Sequence, residues 1–236
     1  MIKKSFISFV FLLNCFCFLQ QAKAQFNQLD HDSKGHYFGI TGAFNSSRFK
    51  YYYSKDLITN DTILQISTKQ GPGFNLGLMA NKRISKRMDI RTIPAMSFGE
   101  KNMQFLVHDF ATGKDSTAKF NIQNIYIDLP VQLKLKSDRV KDFRMYVIAG
   151  MKYTYDLASL SKARKATNLI KLTPHDLSGE LGFGFEFYFP MFILAPEIKI
   201  SQGLMNVLSP DSHLLFSREL SGLKSRTITI SIHIEG

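Results

Sequence analysis

The chain has 236 residues, 44% of them hydrophobic, and a formal net charge of +11 at pH 7. Its two cysteines, Cys15 and Cys17, both lie in an apolar stretch near the N-terminus. If that stretch is cleaved during export, disulfides, thiolate metal sites and cysteine nucleophiles are excluded from the rest of the chain.

The N-terminal residues have the order of a secretory signal peptide. A basic start is followed by an apolar run from Phe6 to Leu19 and by the small-x-small motif Ala22-Lys23-Ala24. The apolar run is shorter than the roughly 20 residues that a membrane-spanning helix needs. A lipoprotein signal would use Cys15, but Asn14 stands before it where a small residue is expected. We therefore predict a cleaved signal peptide over residues 1–24.

Removal of residues 1–24 takes away three lysines and lowers the net charge from +11 to +8. In a cytosolic protein such a charge would indicate nucleic acid as a partner. An exported chain is expected to meet anionic lipid headgroups or acidic protein surfaces instead, so we expect no nucleic-acid partner. Residues 25–35 are predicted to be a short periplasmic segment.

Alternation with period two dominates residues 36–236, and no window is dominated by helical periodicity. Apolar residues alternate with polar or small ones, as in a strand whose two faces differ. Eight such segments follow one another: 36–50, 72–84, 87–101, 119–137, 142–159, 175–189, 192–208 and 223–236.

The two faces of these predicted strands differ in polarity. In the last segment the isoleucines from Ile228 to Ile234 share one face, whereas Thr229, Ser231 and His233 share the other, to which Arg226 is also assigned. In the sixth segment Phe183, Phe185, Phe187 and Phe189 are predicted to face lipid. The opposite, inward faces are predicted to contain Asp128, Gln132, Lys134, Arg144, Lys152, Asp156, Glu180, Glu186, Glu197 and Lys199.

Three features favour an outer-membrane barrel over a soluble sandwich. The segments have about 13 to 19 residues, whereas strands commonly have 5 or 6. The connections alternate between long and short, and aromatic residues gather near segment ends, as at Tyr51–Tyr53. We predict an all-β fold for residues 36–236, an eight-stranded antiparallel up-and-down transmembrane barrel with four long outer loops and both ends in the periplasm. The long loops are expected at 51–71, 102–118, 160–174 and 209–222.

A barrel of eight strands is just wide enough to be filled by its own side chains. We expect the inward charges of mixed sign to pair and fill the interior; the alternative is a conducting channel. Pro94, Pro130 and Pro196 lack a donor for the strand ladder, so bulges or frayed strand ends are expected at those points.

One arrangement in the sequence suggests catalysis. Ser231, His233 and Glu235 share a face of the last segment, and some small outer-membrane barrels are lipid hydrolases built from Ser, His and an acid. Successive same-face positions lie about 6.6 to 7 Å apart, too far for a Ser–His hydrogen bond unless both side chains lean. We favour a polar inward face and predict no catalytic residue. The histidines also lack metal-ligand spacing and nucleotide motifs are absent, so neither a metal nor a cofactor is expected.

Two stretches, YVIAGMKYTYDLASLSKARKA (146–166) and FEFYFPMFILAPEIKISQGLMNVLSPD (185–211), closely resemble the PorT family, called SprT in gliding relatives. Residues 36–50 and 71–84 support the resemblance, which covers nearly the whole exported chain. PorT proteins are outer-membrane barrels of Bacteroidetes that the type IX secretion system requires.

The resemblance implies a non-enzymatic accessory that cargo with a C-terminal sorting signal needs to reach the cell surface. The implied partners are other type IX secretion proteins and outer-membrane lipid, without a small-molecule substrate. The alternatives are a lipid hydrolase or a generic structural barrel. If the resembling segments mark a working surface instead of merely shaping loops, the candidate partner contacts are Asp156, Lys162, Arg164, Lys165, Asn206 and Asp211.

Overall fold

The computed structural model describes residues 34–53, 63–109, 114–157, 172–208 and 220–236. The predicted signal peptide lies outside the described residues. No helix in the described part of the chain is long and apolar enough to cross a membrane. The described strands are β1 (His36–Tyr53), β2 (Ile63–Ser85), β3 (Met88–Thr92), β4 (Ala95–Asp109), β5 (Lys114–Lys136), β6 (Phe143–Asp156), β7 (His175–Tyr188), β8 (Ile193–Gly203) and β9 (Leu220–Glu235).

These strands form one antiparallel sheet that closes on itself. β1 pairs with β2 on one side and with β9 on the other, and the remaining strands connect β2 to β9 in sequence order. β3 and β4 lie end to end between β2 and β5, so together they form one barrel strand. The predicted eight-stranded antiparallel barrel is confirmed.

The break between β3 and β4 falls at Ile93 and Pro94 and explains two of the three prolines. Pairing runs from Thr92–Val131 to Ala95–Asp128 without a change of register, so Pro130 lies opposite Ile93, within the gap. Within this gap, the hydrogen-bond ladder between β5 and the β3–β4 strand does not require an amide donor from either proline. Pro196 pairs with Ile232 of β9, and the β7–β8 pairing is interrupted beside it between Gly184–Glu197 and Phe187–Leu194.

All four outer connections lie at one end of the barrel, between β1 and β2, β4 and β5, β6 and β7, and β8 and β9. We call this the outer end. The turns at 86–87, 137–142 and 189–192 lie at the opposite end, the turn end, with Gly236. At the last of these turns the Phe189 amide donates to the Phe192 carbonyl over 2.9 Å.

Several strands continue beyond the predicted boundaries. β2 begins at Ile63, and β4 and β5 extend into the loop expected at 102–118. The Gly71-Pro72-Gly73 sequence resembles a loop end, but it forms a bulge, since the β2–β4 register shifts between Gln70 and Gly73. Outward residues near this end, such as Asn102 and Gln104, are polar, so the apolar alternation that marks a membrane strand is lost there.

The two faces of the barrel have the polarity that a membrane requires. The outward side chains of Phe44 and Leu181 are 78% and 62% exposed, whereas the inward Glu180 and Lys134 are at most 1% exposed. The predicted inward set is confirmed, because all of its members are buried or nearly so. Apolar atoms on the outside are stable only when that surface is in hydrocarbon.

The assignment of Arg226 to the inward face is wrong. Arg226 lies two residues from Ile228 and therefore shares the outward face of β9. Its partner in the register is Arg48 of β1, which is outward by parity with Phe44. Polarity reverses at this point: Leu223, which is inward, is apolar and fully buried, and the outward residue is charged. In this part of β9, the polarity of a side chain therefore does not indicate whether it faces inward or outward.

Candidate functional site

The centre of the interior is a lysine shared by two glutamates. The Nζ of Lys134 on β5 lies 2.5 Å from Oε1 of Glu186 on β7 and 3.1 Å from Oε1 of Glu235 on β9. The ring of Tyr146 lies below the same ammonium, with its centroid 4.4 Å from Nζ. Three strands from different parts of the ring are thereby joined across the interior.

A second cluster surrounds Arg91 of β3. Its Nη2 lies 2.5 Å from Oε2 of Glu197 and donates to Oε1 of Gln132 over 2.8 Å. The hydroxyl of Tyr146 donates to the same Glu197 oxygen over 3.0 Å. Because Tyr146 contacts both Lys134 and Glu197, the two clusters form one continuous layer.

Further pairs extend this layer in both directions. Towards the turn end, Lys136 Nζ lies 2.6 Å from Asp89, which also accepts a hydrogen bond from the Tyr37 hydroxyl. Towards the outer end, Glu180 accepts hydrogen bonds from Gln132 and Ser201 and lies 3.6 Å from Lys199. Lys152 lies 3.8 Å from both Glu180 and Asp128.

Every carboxylate of this interior network has a cation within 4 Å, the carboxylates being Asp89, Asp128, Glu180, Glu186, Glu197 and Glu235. Charges taken out of water are tolerated only when they are paired and hydrogen-bonded. The network therefore fills the described interior, as predicted. Asp89 and Arg91 are not in the predicted inward set. They alternate with Met88, Ile90 and Thr92, and this alternation also indicates an inward face for the two charged residues.

The Ser231, His233 and Glu235 side chains all face this interior and are at most 1% exposed. His233 Nδ1 lies 2.8 Å from the Thr41 hydroxyl and Nε2 lies 3.5 Å from Glu197. Glu235 pairs with Lys134, and Ser231 Oγ has no hydrogen-bond partner among the described residues. The imidazole therefore does not contact the hydroxyl that it would have to activate, and this arrangement is not a nucleophile with its base.

A small polar cavity lies between the network and the outer end. Its volume is about 50 Å³, and Asn45, Asp128, Lys152 and Asp176 are among the residues that line it. A water molecule occupies about 30 Å³ in the liquid, so the cavity has room for a few waters at most. It is a pocket lined mainly by polar side chains within the described interior.

Nearer the outer end, the inward side chains become apolar. Phe49, Ile66, Met103 and Leu223, from four different strands, are at most 2% exposed. Lys101 is buried beside them, with Nζ 4.7 Å from the Phe49 ring and 3.2 Å from the Ser225 hydroxyl. This outer core has the polarity of a soluble protein, which indicates that this part of the barrel lies above the membrane.

Two of the predicted partner contacts fall on described residues. Asp156 ends β6, is 5% exposed and lines the polar cavity. Asn206 is exposed; its Oδ1 accepts from the amides of Leu208 and Leu223, over 3.1 and 2.8 Å. That geometry fits the loop-shaping alternative for Asn206. The remaining candidates, Lys162, Arg164, Lys165 and Asp211, lie outside the described residues.

Several solved structures are similar to this chain at low sequence identity. Among solved structures, the chain is similar to Neisserial surface protein A at 9% identity, over 85% of this chain and 97% of that chain, with a TM-score of 0.43. It is also similar to the outer membrane protein OprG from Pseudomonas aeruginosa at 15% identity, over 85% of this chain and 94% of that chain, with a TM-score of 0.44. A third similar structure is Ail, the attachment invasion locus protein of Yersinia pestis, at 13% identity, over 86% of this chain and 100% of that chain, with a TM-score of 0.37.

No curated protein sequence matches the chain. A family model described as outer membrane protein beta-barrel domain matches residues 21–209. The match spans most of the chain and covers β1 to β8, whereas β9 lies outside it. The chain therefore belongs to the outer membrane protein beta-barrel domain family.

Proposed function

We propose that this barrel is a non-enzymatic component of the type IX protein secretion system, needed for export of cargo to the cell surface and for gliding in cells that glide. The proposal is supported by the resemblance of residues 146–166 and 185–211 to the PorT family. Its partners on this proposal are other secretion proteins and outer-membrane lipid. The family assignment by itself supports an outer-membrane barrel of any function.

The observation that carries the proposal is a contact at the outer end between the β6–β7 connection, into which the first resembling segment continues, and the end of the second segment. The first follows β6 and the second follows β8 towards that end. There Leu172 forms a bridge with Leu208, and the Thr173 amide donates to the Val207 carbonyl over 2.9 Å. The described ends of the β6–β7 and β8–β9 connections thus meet at the outer end, a suitable place for a protein partner.

The interior supports a role that depends on surfaces. Conduction would need an open path, whereas the described interior contains paired charges and a cavity of about 50 Å³. Hydrolysis would need Ser231 beside its base, whereas His233 is engaged by Thr41 and Glu197. Neither alternative is favoured by a contact in the described residues.

The deciding experiment is deletion of the gene, followed by a mass-spectrometric inventory of cell-surface proteins. We expect cargo with a C-terminal sorting signal to disappear from the surface and to return when the intact gene is supplied. Unchanged export in the deletion strain would refute the proposal.

A pair of charge-matched variants tests the outer surface. Arg164→Glu with Lys165→Glu is expected to reduce cargo export, because it reverses charge in the third outer connection. Lys82→Glu with Lys86→Glu makes the same charge change on exposed residues near the turn end, and we expect it to leave export intact. Equal loss in both variants would show an effect of net charge and would count against the outer surface as the working one.

A further inference from the structure

Four cations form a compact array on the outward face of the barrel seam. In the β1–β9 register Arg48 lies opposite Arg226, and Lys50 lies opposite Lys224. All four are outward by parity with Phe44 and Ile228. Directly opposed side chains lie about 5 Å apart and successive same-face positions about 7 Å apart, and like charges so placed repel. We call these four residues the seam cluster.

The protein supplies no described counter-charge to the seam cluster. No ion pair joins any of the four cations to a described carboxylate, and the residue opposite Arg226 on β8 is the neutral Gln202. The Nζ of Lys50 lies 5.4 Å from the centroid of the Tyr52 ring, and this contact stabilises the ammonium without neutralising its charge. The cations of the interior network differ, since each has a carboxylate within 4 Å. An array of four cations without acids is a site for an anion.

An apolar groove lies on the outward face of β1, β9 and the neighbouring strands from β2 to β5, towards the turn end from the seam cluster. Its volume is about 1000 Å³, and it is lined by Ile40, Gly42, Phe44, Phe74, Leu76 and Ile232. Gly42 is exposed, and a Cβ built there meets nothing within 4 Å. The missing side chain therefore leaves space on the face that contacts lipid.

The spacing between groove and cluster matches one leaflet of a membrane. Six residues separate Gly42 from Arg48, which corresponds to about 20 Å along a strand. With the strand tilt of about 40° usual in such barrels, this is about 15 Å of depth. Half of a hydrocarbon core roughly 30 Å thick has the same value. Because the cluster lies towards the outer end, the leaflet is the outer one.

We propose that the seam cluster and the groove together bind one phosphorylated lipid of the outer leaflet, with its acyl chains in the groove and its phosphate between the arginines. Arginine suits this role because its planar guanidinium donates two hydrogen bonds to a phosphate. An acidic protein could match the charges, but it would not fill an apolar groove open to the lipid. This site is independent of the proposed role in secretion.

The charge part of the site is tested with the full-length barrel purified in detergent micelles and titrated with lipid A that carries its phosphates. Arg48→Gln with Arg226→Gln is expected to weaken binding at least about tenfold, because two charge-assisted contacts are lost. Lys82→Gln with Lys86→Gln removes the same charge from exposed residues near the turn end, away from the seam cluster, and is expected to bind as the unchanged protein does. Equal affinities of the two variants would overturn the proposal.

The groove part is tested with a filled glycine. Gly42→Phe occupies the groove and leaves all four cations in place, so lipid binding is expected to fall several-fold. Gly179→Phe is the matched control, because Gly179 also has nothing within 4 Å of a built Cβ and belongs to β7, away from the seam. Each variant is first checked for the heat-dependent gel mobility of a folded barrel.

Two further probes separate the possible ligands. Dephosphorylated lipid A is expected to bind at least about tenfold more weakly than the phosphorylated form. Inorganic phosphate is expected not to compete at equal concentration, because it lacks the acyl chains. Full competition by phosphate, unaltered binding by Gly42→Phe, or preferential binding of an acidic peptide would each overturn the proposal of a lipid site.

Discussion

The membrane part and the outer part of this barrel have opposite polarity, although the same strands run through both. In the membrane part Phe44 and Ile230 face outward and Lys134 faces inward. In the outer part Phe49 and Leu223 face inward and are buried, whereas the outward residues of β1 and β9 are the seam cluster. The surroundings of each part account for the reversal, since hydrocarbon stabilises apolar surface and water stabilises charge.

The two parts also treat their charges differently. Each carboxylate of the interior network has a cation within 4 Å, as Glu197 has Arg91 at 2.5 Å. The four outward cations of the seam cluster have no described acid beside them. Paired charges satisfy one another and hold strands together, whereas a set of like charges repels itself and attracts an anion. The interior network therefore serves the fold, and the seam cluster serves recognition.

The largest effect is expected from removing a charge in the membrane part. Lys134→Met leaves Glu186 and Glu235 buried without their shared cation, and breaking a buried pair in this way costs about 3–5 kcal/mol. The free energy of unfolding, measured with urea in detergent micelles, should fall by that amount. A double variant that adds Glu235→Gln should recover part of the loss, because the uncompensated charge is removed.

The matched substitution in the outer part is Lys50→Met. Lys50 is exposed and belongs to an array of like charges, so in lipid-free micelles its loss should change the free energy of unfolding by less than about 0.5 kcal/mol. If both lysine variants lost equal stability, the two parts would not differ in how their charges contribute.

A smaller loss is expected from the apolar core of the outer part. Leu223 is fully buried, and Leu223→Ala should cost about 2–4 kcal/mol through lost apolar contact and the cavity left behind. Ile230→Ala is the comparison in the membrane part, where the side chain is 59% exposed and detergent or lipid fills the space. Unfolding in urea should show a clearly smaller loss for Ile230→Ala, and the reverse order would contradict an aqueous outer part.

Much of the membrane part could be predicted from the sequence, because its two solvents impose strict alternation. The phenylalanines from Phe183 to Phe189 and the opposing Glu180 and Glu186 need only parity to be placed. The partners could not be predicted, since Lys134 meets Glu186 and Glu235 only after the sheet closes. Alternation along a strand predicts which face a side chain is on. It does not predict which residue of a strand across the barrel that side chain will contact.

The outer part was predicted less well for a physical reason. Above the membrane the outward face meets water and the inward face has both apolar and polar residues, so polarity ceases to report direction. For this reason the inward assignment of Arg226 is wrong, and the loop expected at 102–118 includes residues that extend β4 and β5. The seam cluster was missed as well, because its four members come from the two ends of the chain and become neighbours only in the β1–β9 pairing.

An intermediate effect in the outer part is expected at Asn206. Its side chain accepts hydrogen bonds from two amides and donates to the Ser221 carbonyl over 3.3 Å. Asn206→Ala should therefore cost about 1–2 kcal/mol, because each lost hydrogen bond contributes about 0.5–1.5 kcal/mol. Asn206→Asp keeps the acceptor and should retain most of the stability. A variant of normal stability that nonetheless abolishes cargo export would instead indicate a direct partner contact.

The smallest effect is expected at Ser231, in the membrane part. Its hydroxyl is buried and has no hydrogen-bond partner among the described residues, so Ser231→Ala removes a polar group that contributes no bond. The free energy of unfolding should change by less than about 0.5 kcal/mol, or rise slightly, because an unsatisfied buried group is unfavourable. Cargo export and growth should also be unchanged. A hydrolase would differ in function alone: the loss of its nucleophile would leave stability intact but abolish activity towards lipid. Because the substitution barely alters the fold, any loss of function in this variant would point directly to chemistry at Ser231 and would contradict a barrel that acts through its surfaces.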